Sequence, residues 1–285
     1  MMAYFTNRGG WHRLLPALMI IALITGCAGF ERLNKPAFVP ELRPGFLPGY
    51  LATDGLPNSL ALLPPPPAIG SAAMAQDEEI SKRSFALRDT SRWPLAASDA
   101  DLSFPRAAGI FSCSLNAPIT EADTPHLYML LRRTLTDISL STYAVKNHYN
   151  RARPFLWNKE PICTPNDKPQ LEKSGSYPSR HEALGWGWAL ILSEMTPGQT
   201  DAILARGLAF GESRNACNVH WHSDVVQARV ITAGTVARLH AEPAFLADLA
   251  SARAELESLR KRGLKPTRDC NAEAAALAIQ PSLAQ

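Results

Sequence analysis

The chain has 285 residues, 46% of them hydrophobic, 19% charged and 8% aromatic. That is enough for one or two globular domains with a sizeable core, and it excludes disorder throughout. Its 29 basic and 26 acidic side chains give a formal charge of +3, and without Arg8 and Arg13, which have no acidic partner in the first 26 positions, the balance is +1. A near-neutral body has no polybasic footprint, which argues against nucleic acid as the main partner and leaves a local basic pocket for a small anion open.

The chain begins with an apolar run, residues 14–24, behind the basic flank Arg8, His12 and Arg13. At eleven residues it is too short to span a bilayer, which takes about 20, and its basic start and the small residues that follow predict an export signal over 1–26. Ile24-Thr-Gly-Cys27 resembles a bacterial lipobox, which implies acylation of Cys27, a membrane anchor made of lipid alone, and, with Ala28 next, the outer membrane. The body is then expected on the periplasmic side. Four cysteines remain, Cys113, Cys163, Cys217 and Cys270. In an oxidising compartment they permit two disulfides in three connectivities. Cys163 with Cys217 is the favoured pair because both lie within the stretch that carries the chemistry; buried free thiols are the alternative.

Residues 27–57 contain Pro36, Pro40, Pro44, Pro48 and Pro57 without helical periodicity and read as an extended tether. The run Pro64 to Pro67 must also be extended. From about residue 75 the apolar positions recur at helical spacing. Thr124-Pro125 predicts a cap and first helical residue, with a stripe from Leu127 through Ile138 carried on to about Tyr149. Thr196-Pro-Gly-Gln199 reads as a capping box opening a helix to about Glu212. Further helices are expected over about 181–195, 218–241 and 243–260, with an irregular loop between Phe155 and Tyr177. No alternating strands with turn signals occur. The expectation is an all-α, single-domain helical bundle over 58–262, followed by a weakly structured tail over 263–285.

Three polar clusters carry the chemistry. Lys146 and Arg153 are seven apart, so an unbroken helix would put both cations on one face; Arg151 reads as a solvated surface charge. Ser179 opens an S-x-x-E pattern with Glu182 ahead of an apolar run, so a helix begins there, and its first amides and dipole suit an anion unless Ser179 and Glu182 simply cap each other. His220 and Asp224 are four apart, so the carboxylate reaches one ring nitrogen and leaves the other free. Arg214 lies about 120° off that face on a continuous helix, so sharing one ligand requires a turn between them. Several other chemistries fail: His220-x-His222 diverges as a helical zinc pair, His181-Glu-Ala-Leu-Gly185 lacks the second zincin histidine, and no Walker loop or G-x-S-x-G elbow is present.

Read in order, Lys146-x6-Arg153-Pro154, Pro178-Ser-Arg-His181 and Ser213-Arg214-x5-His220-x3-Asp224 resemble the signature of the type 2 phosphatidic acid phosphatase (PAP2) superfamily, which also holds the vanadium haloperoxidases. Leu60-Ala-Leu-Leu-Pro-Pro-Pro-Pro-Ala68, Ala117-Pro-Ile-Thr-Glu121, His148-Tyr149 and Gly175-Ser-Tyr-Pro-Ser179 narrow the likeness to the class A bacterial nonspecific acid phosphatases, over about Tyr50 to Leu256. The resemblance implies that the chain cleaves phosphomonoesters without metal or other cofactor. His220 would be the nucleophile oriented by Asp224, and His181 the acid and then base. Lys146, Arg153, Ser179, Arg214 and the amide of Arg180 would hold phosphate. It also implies a broad substrate range and a homo-oligomer.

The pattern departs from the family where Arg180 replaces the usual glycine and Glu182 the usual threonine. If that backbone needs a positive φ, Arg180 is strained by about 1 kcal/mol or more. Its side chain would add a cation, crowd the leaving group or pair with Glu182. The same residues also fit a vanadate-dependent haloperoxidase or a lipoprotein that only binds phosphate. A membrane-embedded lipid phosphatase is disfavoured because no second long apolar segment exists.

Overall fold

The computed structural model describes residues 35–279. Among these no strand forms, and the helices follow one another as α1 (Ser59–Leu62), α2 (Ala72–Ser84), α3 (Arg92–Ser98), α4 (Ser112–Leu115), α5 (Pro125–Ser141), α6 (Tyr143–Tyr149), α7 (Pro154–Asn158), α8 (Lys168–Leu171), α9 (Arg180–Met195), α10 (Thr200–Ala216), α11 (His222–Leu239), α12 (Pro243–Arg262) and α13 (Cys270–Leu277). The expected all-α bundle is what the chain builds. No described helix is long and apolar enough to cross a membrane. The export segment and Cys27 lie outside the described residues.

Helix α9 is the central element. Ala183, Leu184, Trp188, Ala189, Ile191 and Leu192 are all fully buried, each large apolar side chain contributing about 1.5–3 kcal/mol, and α5, α10 and α11 surround the helix. Close approach depends on small residues: a Cβ on Gly185 would stand 2.4 Å from Phe210 of α10, and one on Gly187 would stand 2.6 Å from Ile138 of α5. Trp188 Nε1 donates to Thr134 Oγ1 of α5 at 3.2 Å, which satisfies the one polar atom of the buried indole.

Several boundaries differ from the sequence expectation. The run from Thr124 to Tyr149 is two helices, α5 and α6, because Ser141 and Thr142 turn their hydroxyls back onto the carbonyls of Ile138 and Ser139, both at 2.8 Å. Thr196 makes no capping box; its hydroxyl donates to Leu192 O at 2.8 Å, and Gln199 accepts from Arg260. The loop after Phe155 contains α7 and α8.

The tether and tail readings are corrected at two places. Residues 47–51 pack onto the body: Leu47 is buried, and the amides of Tyr50 and Leu51 donate to the carboxylate of Asp137 at 2.9–3.1 Å. Proline content hid this docking, because prolines fix backbone shape without saying whether the segment finds a partner. In the tail, α13 is tied down by the Cys113–Cys270 disulfide and by Glu273, which faces Arg206 at 3.4 Å and Arg268 at 2.9 Å. The second disulfide joins Cys163 and Cys217, as the sequence favoured.

Candidate active site

The segments that carry the predicted residues meet at one cavity of about 730 Å³. Lys146, Arg153, Arg180, His181, Arg214 and His220 all line it. Ser179 and Asp224 are fully buried behind the wall.

Turns, rather than one helical face, bring the cations together. Helix α6 ends at Asn150, whose left-handed backbone (φ 40°) reverses the chain, and Arg153 follows as the residue capping α7. The continuous helix expected between Lys146 and Arg153 is therefore absent, yet both side chains reach the cavity. A second turn separates Arg214, near the end of α10, from His220, just before α11, and Asn218 takes the left-handed position there (φ 60°). That turn is the one the Arg214–His220 spacing required. Gly175 is needed for a different reason: a Cβ there would come within 2.9 Å of the backbone of Lys146 and of Asn150.

The buried cations are held mainly by neutral carbonyls. Lys146 Nζ donates to Pro178 O (2.6 Å), Gly175 O (3.1 Å) and Ser176 O (3.3 Å). Arg153 donates to the carbonyls of Leu171, Ser174, Gly175 and Val219 at 2.9–3.1 Å. Burial, with Arg153 and Arg180 nearby, pushes Lys146 down to about 7, and burial likewise lowers Arg153 and Arg214 to about 10. Arg214 is 1% exposed. Among the described residues its Nε has no hydrogen-bond partner, and its only contact of that kind is Nη1 with Cys217 Sγ at 4.0 Å.

His220 is fixed in one tautomer. Arg153 Nη1 lies 3.2 Å from Nε2, and because a guanidinium can only donate, Nε2 carries the lone pair and Nδ1 the proton. Nδ1 faces Asp224 Oδ2 at 3.4 Å. Burial, then Arg153, Lys146 and Arg214, hold this ring well below the usual histidine range, so it is neutral. His181 Nε2 donates to Ala100 O at 3.0 Å; burial, Arg214 and Arg180 keep His181 low as well.

Ser179 accepts from the amide of Glu182 at 3.2 Å as the cap of α9, and its own amide donates to Asp224 O at 2.9 Å. Glu182 does not complete a capping box: its Oε1 accepts from Arg229 Nε. Arg180 is the first residue of α9 and is not among the non-glycine residues with positive φ, so this site does not need the conformational freedom of glycine.

The sequence reading missed Arg151 and Asp77. Arg151, expected on the surface, is 8% exposed, with Nη1 on Asp224 Oδ1 and Nη2 on Asp77 Oδ2, both at 2.7 Å. Asp77, on α2 and 1% exposed, also accepts from the amide (2.8 Å) and hydroxyl (2.5 Å) of Ser223. Asp77, Arg151 and Asp224 thus form one chain of charges that ends on the neutral ring of His220. The nearest hint was Arg151's place between the site cations, with Asp224 the only acid among the motif residues.

Comparison with known proteins agrees with this geometry. The PAP2 superfamily profile matches residues 125–242. Relatives named non-specific acid phosphatase come from Providencia stuartii, 43% identical over 74% of this chain and 86% of the relative, and from Salmonella typhimurium, 41% identical over 70% and 80%. An acid phosphatase of Zymomonas mobilis is 39% identical over 73% and 79%. The chain belongs to the PAP2 superfamily and, within it, to the class A bacterial nonspecific acid phosphatases.

Removing the Arg151 charge leaves two buried carboxylates facing each other. Arg151→Met is expected to lower kcat for p-nitrophenyl phosphate roughly 10- to 100-fold, the scale of a lost hydrogen bond to a charged group, with a smaller change in KM. Arg151→Lys should recover part of kcat. Equal losses in both variants, or a loss confined to KM, would remove Arg151 from the positioning of His220.

Proposed function

We propose that this acid phosphatase hydrolyses phosphomonoesters through a phosphohistidine on His220, without a metal ion. The observation that carries the reading is the buried guanidinium of Arg214, its Nε without a partner, on the wall of the cavity that also presents the His220 ring. A buried unsatisfied donor costs about 1–3 kcal/mol, and more when charged, so the site is built for an acceptor that arrives from outside. A phosphoryl group, with about −1.5 to −2 charges, is such an acceptor.

In this reading the substrate's oxygens take over the Arg153 Nη1 donor, which frees the lone pair of Nε2 for phosphorus. Nε2 bonds to phosphorus and the P–O bond to the alcohol breaks, while Lys146, Arg153 and Arg214 hold the equatorial charge. Positive charge develops on the ring, and Asp224 stabilises it through Nδ1–H. The neutral form of His181 has its proton on Nε2, toward Ala100, so the proton for the departing oxygen is carried on Nδ1. Once it has lost that proton, His181 accepts one from the water that attacks the phosphohistidine. Side-chain cations supply the charge stabilisation a metal would give. The broad substrate range and homo-oligomer implied by the family remain part of this proposal, as does attachment through lipid on Cys27 at the periplasmic face of the outer membrane.

A brief quench during turnover should trap a phosphoenzyme that is labile in acid and stable in base, with chelator present throughout. His220→Ala should not form it. A phosphoenzyme that survives in His220→Ala, or turnover abolished by chelator, contradicts the mechanism.

The pH dependence follows from Lys146. A lysine at about 7 is charged on the acid side and neutral above, so inhibition by inorganic phosphate should weaken as pH rises through about 7. Lys146→Arg should move that limb to higher pH. A limb that stays in place would assign it elsewhere.

Labelling with radioactive palmitate in a bacterial host should mark the wild-type chain and not Cys27→Ser. Equal labelling of both would reject the anchor.

A further inference from the structure

Arg180 stands apart from the other cations of the site. Lys146, Arg153 and Arg214 are buried, whereas Arg180 is half-buried on the same cavity wall and so lies toward the mouth. Among the described residues it makes no hydrogen bond and no ion pair. Glu182, two residues on, is held by Arg229. Two other carboxylates line the cavity. Asp101 accepts from the amide and hydroxyl of Ser103 and faces Arg106 at 3.4 Å; Asp167 is exposed, and its field acts on Arg214. Neither neutralises Arg180.

Charge balance gives that isolation a meaning. One phosphoryl group carries about two negative charges, and Lys146, Arg153 and Arg214 already exceed them. Burial is the main reason the other three cations and His181 have lowered proton affinities, and the charge of Arg180 adds to it in all four. A second anion on the same ligand offsets that repulsion, and at about 730 Å³ the cavity has room beyond a single phosphoryl group.

We propose that Arg180 binds a second phosphoryl group of the substrate, adjacent to the one transferred, so that phosphoanhydrides and closely spaced bisphosphates are the preferred class. Guanidinium geometry suits a phosphate in a two-point contact. In the step itself, Nε2 of His220 bonds to the terminal phosphorus and the bridging P–O bond breaks, its electron pair leaving on the inner phosphate. Arg180 stabilises the charge the inner phosphate gains. Water then releases the terminal group from His220 as inorganic phosphate. The inference rests on the phosphatase reading above.

The test compares initial rates on ADP and AMP, which share the nucleoside and differ by the inner phosphate. In the full chain, Arg180→Gly should lower the ratio of kcat/KM for ADP to that for AMP about tenfold or more, the scale of one charge-assisted hydrogen bond, and Arg180→Lys should restore part of it. A ratio that is unchanged or rises overturns the role of Arg180 and leaves the phosphatase reading intact. If the wild type hydrolyses neither compound, it is the phosphatase reading that fails. Calorimetry with inorganic pyrophosphate and inorganic phosphate then decides the Arg180 site: a preference for pyrophosphate that Arg180→Gly removes supports it, and no preference, or one the variant keeps, overturns it.

Discussion

The constraint on which this site depends is the burial of several positive charges on one cavity wall with no carboxylate in ion-pair contact with Lys146, Arg153 or Arg214 among the described residues. Burial is the largest cause of the lowered proton affinities of Lys146, Arg153 and Arg214, and to it is added like-charge repulsion, which is strong where water is excluded. Carboxylates would remove it, but they would also occupy the place of the substrate. The chain instead surrounds Lys146 and Arg153 with the backbone carbonyls of residues 171–178 and of Val219. These dipoles solvate a cation without cancelling it, so the net charge stays available to an incoming anion.

Carbonyls must be aimed, and much of the surrounding fold serves that aim. Gly175 lets the 171–178 segment lie against the end of α6, and the Cys163–Cys217 bridge ties the chain ahead of that segment to the turn between Arg214 and His220. The far end of α10 is held by a separate buried network. There Asp99 accepts from Arg206 and from Ser213, and Arg92 donates to the Ser213 hydroxyl. Ser213 precedes Arg214 in the chain, so this network fixes the helix turn from which the Arg214 guanidinium projects. Through Glu273, the same network reaches α13.

What the sequence made legible follows from how far each signal reaches. Helical periodicity along α9 and the order of the three motifs are dense local signals, and the fold class, the six cavity-lining residues and the Cys163–Cys217 pair were all readable from them. The break at Thr142 was not, because hydroxyls that bond back onto the preceding turn leave the apolar stripe of α5 unchanged. Docking of residues 47–51 depends on Asp137, 86 positions away from Leu51, and no spacing rule connects them. Arg151 was misread for a related reason. A cation 2.7 Å from two buried acids in space, but more than 70 positions from either in sequence, has the same appearance as a surface arginine until α2 and α11 are set side by side.

Arg151 also bears on how two histidines in one cationic pocket take opposite roles. In the proposed mechanism His220, the nucleophile, is neutral when the ester binds, and His181, the acid, gains a proton. The same buried cations hold both rings low, so the cations alone do not distinguish them. A bare carboxylate at Asp224 would draw a second proton onto His220 and block its lone pair. Sharing that carboxylate with Arg151 and the Trp221 amide weakens its pull while leaving Oδ2 in place to orient Nδ1–H. Among the described residues the one hydrogen bond of the His181 ring is to the carbonyl of Ala100, which fixes one proton and, in the proposed mechanism, leaves Nδ1 to respond to the charge of the bound ester. In the proposed mechanism both rings are neutral before the ester binds, and the substrate's own negative charge supplies the proton affinity that makes His181 an acid.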